Sequence, residues 1–197
     1  MSDNNTKEKI IETMYLLVAK KGYDKSSIGQ IADIIGIKKA SVYYYFKSKE
    51  DIFLQMVKTL YKTNYYDRAG LFKNEISAEA YFQELILMGE EFIDSYFKNK
   101  DLRKVFAEVD IQATRIPALK DFVMTNDRSF TDFLTKCMLH GVTSGALPKD
   151  FDTTLNAQIL YTVIIGIDQA ILYELPIEPK AVWKEVILKL LNRKAFL

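Results

Sequence analysis

Residues Ser26 to Asp51 read SSIGQIADIIGIKKASVYYYFKSKED, and local chemistry alone divides them into two short helices and the opening of a third. Ser27 has the hydroxyl of an N-cap, and Gln30, three places on, has the side chain that completes a capping box by reaching back to the cap's own amide. Ile28, Ile31, Ala32 and Ile35 then recur at helical spacing as one apolar stripe, which Gly36 ends by supplying a left-handed turn. After Ile37 and Lys38, the segment Lys39 to Phe46 sets Val42 and Phe46 four apart. Those two face inward with Tyr45 at their flank, while Lys39, Ser41 and Tyr44 face outward. Ser48 and Asp51 repeat the capping pattern ahead of Ile52, Phe53, Met56, Val57 and Leu60. Two short helices joined by a glycine turn, with a longer one after them, have the layout of a helix-turn-helix.

From Gly36 to Lys49 there are four lysines, no acidic residue and three consecutive tyrosines. Such a surface can neutralise phosphates with its ammonium groups and contact them with its hydroxyls. It can equally be a solvated lysine face beside tyrosines half sunk in a core. Lys49 points to the first reading, because a cation in the first turn opposes the helix dipole unless an external anion such as a phosphate sits there.

The order Ser26-Ser27-x-x-x-Ile31-Ala32-x-x-x-Gly36-Ile37-x-x-Ala40-x-Val42-Tyr43-x-Tyr45-Phe46-x-Ser48-Lys49-Glu50 resembles the DNA-binding signature of the TetR family of transcriptional regulators. That signature reads close to T-x-x-x-I-A-x-x-A-G-V-S-x-G-x-[IVL]-Y-x-[YH]-F-x-[SN]-K-[DE], and the resemblance is specific over about Ile10 to Leu60. Ser27 stands where the family has threonine and keeps the capping hydroxyl; Ile35 stands for alanine, and Ala40 for glycine. Lys38 stands for the capping serine, which removes a side-chain acceptor from the start of the second helix and adds a positive charge.

The resemblance implies an all-α chain of about nine helices, with a three-helix DNA-binding domain over residues 1–48 and a helical regulatory, ligand-binding and dimerisation domain over 49–197. It further implies a homodimer on a pseudo-palindromic double-stranded DNA operator, acting as a repressor released when a small-molecule effector binds. Lys39, Ser41 and Tyr44 are then expected at base edges, and Ser26, Ser27, Lys38, Tyr43, Tyr45 and Lys49 at phosphates. The alternative is a helical binding module whose helix-turn-helix meets a protein partner, since fold does not fix function.

Composition agrees with a globular protein: 49% of the 197 residues are hydrophobic and 27% charged, enough for a buried core. Residues 1–60 hold ten lysines and seven acidic residues, a net +3 against +1 for the whole chain, so the basic end is the end with the helix-turn-helix. Cys137 and His140 are the only residues of their kinds, which leaves no internal disulfide, no cysteine-based zinc site and no histidine pair for a metal. MSDNNTKEK at the start lacks the apolar core of a signal peptide, and the run Ile159 to Ile167 is too short for a membrane span, so a cytoplasmic protein is expected.

Met1 to Asn5 are expected to be disordered ahead of a first helix from about Thr6 to Lys21, which Gly22-Tyr23 ends, with Tyr23 packing on the helix pair. The helix opened by Ser48 should run to about Tyr66, and the turn Asp67 to Ser77 should follow it. Beyond it, helices are predicted over Ala78–Lys98, Leu102–Ala113, Ala118–Thr143, Thr153–Leu175 and Ala181–Lys194. The last two carry Leu155, Ile159, Val163, Gly166, Ile167 and Ala170, then Val182, Val186, Leu190 and Leu191, more apolar surface than one short domain needs, and they are the expected dimer seam over 153–175 and 181–194. Met88, Phe92, Tyr96, Phe106, Phe122 and Tyr161 could line an effector cavity or simply pack as core. Asp168, inside VIIGIDQAILYEL, needs a partner across the dimer seam, at a helix end or on a ligand amine. The carboxylates Glu90, Glu91 and Asp94, and Glu108 with Asp110, have no histidine or metal-ligand spacing beside them and read as solvated faces. With no phosphate loop and no nucleophile elbow, neither catalysis nor a bound cofactor is expected.

Overall fold

The computed structural model describes residues 3–61 and 76–191, and every regular element among them is helical. In chain order these are α1 (Asp3–Lys21), α2 (Ile28–Ile35), α3 (Lys39–Tyr45), α4 (Lys49–Leu60), α5 (Ala78–Lys98), α6 (Lys100–Ala113), α7 (Pro117–Thr143), α8 (Thr153–Leu172) and α9 (Pro179–Val186), with a wider π-helical turn at Ile187–Leu191. The all-α expectation therefore holds. Helix α1 starts at Asp3, inside the segment expected to be disordered. Helix α8 stops at Leu172, short of the expected Leu175, where Glu174 takes a left-handed φ of 54° and Pro176 follows. The expected continuation of α4 to Tyr66, the turn after it up to residue 75, and the last helix beyond Leu191 lie outside the described residues.

The chain divides into two compact units, Met1–Asn64 with Lys100–Asn126, and Tyr65–Asn99 with Asp127–Leu197. In the first, α1 packs against α2, α4 and α6. Their shared core is the apolar set Ile10, Met14 and Val18 of α1, Ile31, Val42 and Phe46 of the helix pair, Ile52, Phe53 and Met56 of α4, and Val105 and Val109 of α6. The unit that holds the helix-turn-helix is thus larger than the expected 1–48, because α4 and α6 bury their apolar faces in the same core. Tyr23 packs on α4, its ring centroid 4.7 Å from that of Phe53.

In the second unit, α5, α8 and α9 pack on one another. Trp183 of α9 is wholly buried, and its Nε1–H is shared between the carbonyls of Leu85 at 3.1 Å and Ile86 at 3.2 Å. Gly89 makes that seat possible: a Cβ there would lie 2.0 Å from Nε1. Tyr81 donates its buried hydroxyl to the Cys137 carbonyl at 2.9 Å. Burial pushes the Tyr81 phenol far above its ordinary value and the Cys137 thiol up to about 12.

Candidate nucleic-acid interface

Ser27 caps α2 as its spacing predicts. With extended backbone it accepts the Gln30 amide at 3.3 Å, and the Gln30 side chain accepts the Ser27 amide at 3.0 Å. Gly36, at φ 77°, ends the helix and donates to the Ala32 carbonyl at 2.9 Å. Helix α3 then starts at Lys39, and Lys38 ahead of it gives no side-chain cap, as the exchange of serine for lysine implies. Its inward face is Val42, with Phe46 just beyond its end, both buried. Its opposite side leaves Lys38, Lys39, Ser41, Tyr43 and Tyr44 exposed, Tyr44 to 75%. Tyr45 is half-buried against the core and meets Tyr44 edge-on at 4.9 Å.

Two residues expected at phosphates have internal partners. Ser26 is only 3% exposed, and its hydroxyl donates inward to the Gly22 carbonyl at 2.8 Å. Lys49 turns its Nζ back to the α1–α2 turn, donating to the carbonyls of Tyr23 at 3.1 Å and Ser26 at 3.2 Å, 3.9 Å from the centre of the Tyr23 ring. The cation that looked misplaced at a helix start has internal partners: two carbonyl dipoles and a ring face. Burial, with Glu50 and then Asp24 nearby, pushes the Tyr23 phenol up to about 12. Glu108, read as part of a solvated acidic pair, accepts the Tyr23 amide at 3.0 Å from 85 residues away, and no local pattern could have pointed to it.

The sequence model of a family described as "Bacterial regulatory proteins, tetR family" matches residues 10–56, the stretch from mid-α1 through most of α4. Over those residues the chain matches the TetR family. A stretch of 52 residues is 48% identical to the biofilm operon icaADBC HTH-type negative transcriptional regulator IcaR of Staphylococcus aureus (strain Newman), so the match spans 26% of this chain and only 28% of that protein's length. The whole fold is similar to that of a TetR transcription regulator from Haloarcula marismortui, with a TM-score of 0.78, 22% identity and coverage of 96% of this chain and 98% of the other. It is also similar to a transcriptional regulator from Saccharomonospora viridis solved in complex with choline, with a TM-score of 0.73, 20% identity and coverage of 96% and 97%.

The residues named for an effector divide between the units. Phe106 and Phe122 belong to the first, where both stand edge-on to Tyr61 at 5.5 Å. Met88, Phe92, Tyr96, Tyr161 and Asp168 belong to the second. There Phe92 stacks on Tyr96 at 6.1 Å, Tyr161 meets Phe130 at 6.3 Å, and the Tyr161 hydroxyl bonds Asp127. Burial raises the Asp127 carboxyl, against the lowering effect of that hydrogen bond. Asp168 is half-buried, with Oδ1 shut off from solvent. Among the described residues no group of three or more His, Cys, Asp or Glu is placed to hold a metal.

Of the expected seam, Leu155, Gly166 and Val182 are exposed, Ile159, Val163 and Val186 half-buried, and Ile167 and Ala170 buried within the unit, while the side chains of Leu190 and Leu191 lie outside the described set. The outward row of α8 is instead Leu155, Thr162, Ile165, Gly166 and Tyr173. This helix is long and apolar enough to cross a membrane by length and composition, yet less than half of its apolar window is buried, and α5 and α9 pack on it.

Proposed function

We propose that this TetR-family chain is a cytoplasmic DNA-binding transcriptional regulator that acts as a homodimer, represses by occupying a pseudo-palindromic operator, and lets go when a small molecule binds its second unit. The observation that carries this reading is the two-sided α3, with Val42 and Phe46 sunk in the core and a basic, tyrosine-rich side facing solvent. We assign Lys39, Ser41 and Tyr44, all exposed, to base edges, and Ser27, Lys38 and Tyr43 to phosphates. Ser26 and Lys49 support the surface from behind, and Tyr45 braces Tyr44.

A net charge of +3 over residues 1–60 is modest for duplex binding, and pairing two chains doubles it. The exposed apolar row of α8 is the face we assign to that pairing, which would set two α3 helices about 34–36 Å apart along the duplex. Repression is supported by the negative-regulator name of the IcaR relative, and an effector by the choline carried by the Saccharomonospora neighbour. The aromatic residues around Tyr161 and Asp127 are where such a molecule would be sought, and no catalytic step is assigned.

A mobility-shift assay on upstream genomic fragments against random duplex, at about 50 and 200 mM salt, tests the reading, because each phosphate contact steepens the salt dependence by about 0.9 in log–log slope. Equal binding to random and genomic duplex refutes it. The protein-partner module predicts neither preference nor a steep slope. A thermal-shift panel of apolar compounds and organic cations tests the effector, and a panel without a stabilising compound counts against it.

A further inference from the structure

The turn between α1 and α2 is gripped at both polar groups of one residue. The Tyr23 amide donates to Glu108 Oε2 of α6 at 3.0 Å, while the Tyr23 carbonyl accepts Lys49 Nζ of α4 at 3.1 Å. Its ring is buried against Phe53. Arg115, just past α6, adds an ion pair to Asp24 at 3.2 Å, but both partners are more than half exposed and such pairs contribute little. Glu108 is different, because a carboxylate accepting a backbone amide in a part-buried place makes a strong hydrogen bond. It also occupies the space beside Gly22, where a Cβ would come within 3.0 Å of Oε1. Four residues beyond Tyr23 stands Ser27, whose cap sets the direction in which α2, and hence α3, leaves the turn.

We propose that Glu108 is a positioning residue for DNA recognition: it fixes the Tyr23 backbone, and with it the angle at which the helix pair is presented. This rests on the DNA-binding reading above. A bare carboxylate in a unit built to approach a polyanion opposes binding. If its charge were its only effect, Glu108→Ala and Glu108→Gln would bind DNA equally well and better than the parent. A carboxamide oxygen, however, still accepts the Tyr23 amide, whereas alanine cannot.

The test compares the full-length chain with E108A and E108Q. Amide hydrogen exchange is read without DNA, and operator and random-duplex affinities are read at two salt concentrations. In E108A the amides from Tyr23 to Ile31 are expected to exchange about tenfold faster, and preference for operator over random duplex to fall about tenfold, the scale of one hydrogen bond to a charged group. Loss of the charge raises random-duplex affinity alike in E108A and E108Q and leaves the salt slope in place, while E108Q keeps the parent's exchange rates and operator preference. Should E108A fail to fold, E108D keeps the charge, draws the acceptor back by one methylene, and is expected to show the faster exchange and lower operator preference described for E108A, with the parent's random-duplex affinity. Equal exchange and operator preference in E108A and E108Q, or unchanged exchange in a folded E108A or E108D, overturns the proposal. If the parent itself shows no operator preference, the regulator reading fails, and the exchange measurement alone decides the role of Glu108.

Discussion

Replacing Gly89 by alanine sets two terms of opposite sign against each other in α5. Alanine in a helix interior gains about 1 kcal/mol over glycine. Against that, the new Cβ would stand 2.0 Å from Trp183 Nε1, 2.1 Å from Cε2 and 2.5 Å from Cδ1. Heavy atoms in contact settle about 3.5 to 4.0 Å apart, so the indole must withdraw by roughly 1.5 Å. A rigid ring at 0% exposure has nowhere to go without disturbing α5 or α9. Overpacking of this kind costs about 1–3 kcal/mol, and an indole N–H pulled from the Leu85 and Ile86 carbonyls costs about as much again. The net expectation is a loss of about 2–3 kcal/mol, or roughly 5 to 10 °C in Tm for a chain of this size. Trp183 is the only tryptophan, so intrinsic fluorescence reports the event directly. The emission maximum should shift to the red in native buffer, and the melt followed by the same signal should come earlier. An unchanged emission maximum with a Tm equal to or above that of the parent would refute the claim that Gly89 is there to make room.

Gly166 supplies the contrast, since nothing lies within 4 Å of a Cβ built there; Gly166→Ala should stabilise the isolated fold by about 0.5–1 kcal/mol, and if the α8 face pairs two chains, light scattering should show weaker dimerisation, whereas a lower Tm with an intact dimer contradicts both statements. Lys38→Ser installs the missing cap of α3 and removes a cation, so Tm should rise by the equivalent of about 1 kcal/mol while DNA affinity falls and the salt slope flattens by about 0.9 per chain; a higher Tm with an unchanged slope would remove Lys38 from the phosphate contacts. Alkaline pH should destabilise the fold: the unfolded thiol releases its proton near 9.0 while the folded Cys137 holds it to about 12, and Tyr23 behaves likewise between 10.0 and about 12. Stability from these groups is therefore complete below pH 9 and is lost as pH rises toward 12; Cys137→Ala should delay the onset to about pH 10, and a Tm that stays flat to about pH 11 in the parent refutes the assignment.

The parts of the fold that were legible in sequence are those whose causes lie within one or two helical turns. The Ser27–Gln30 box, the Gly36 stop and the uncapped Lys38 involve groups three to five residues apart, so spacing alone specifies them. The inward face of α3 was legible for the same reason, because Val42 and Phe46 need only a shared helical side. What spacing could not say is which neighbour each face meets. Ile167 and Ala170 belong to the same apolar stripe as residues at the expected seam, yet the packing of α5 and α9 on α8 buries them inside the unit, and the exposed row turns out to run through Thr162 and Ile165.

Lys49 shows where the line falls. A local rule, that a cation is unfavourable at a helix start, identified it as needing an anion. The rule is blind to distance, and the partners are the carbonyls of Tyr23 and Ser26, 26 and 23 residues earlier. Those carbonyls face α4 only because Gly22, at φ 81°, turns the chain after α1 and the Ser26 hydroxyl ties that turn to the Gly22 carbonyl. The same turn then offers its Tyr23 amide to α6, where Glu108 takes it. Lys49 is thus one of three side chains, with Ser26 and Glu108, that hold the turn feeding the helix pair. Truncating Lys49 to alanine should lower operator preference through geometry and leave the salt slope unchanged, since two of the three ammonium donors are spent on carbonyls. A slope reduced by about 0.9 per chain would instead return Lys49 to the phosphates.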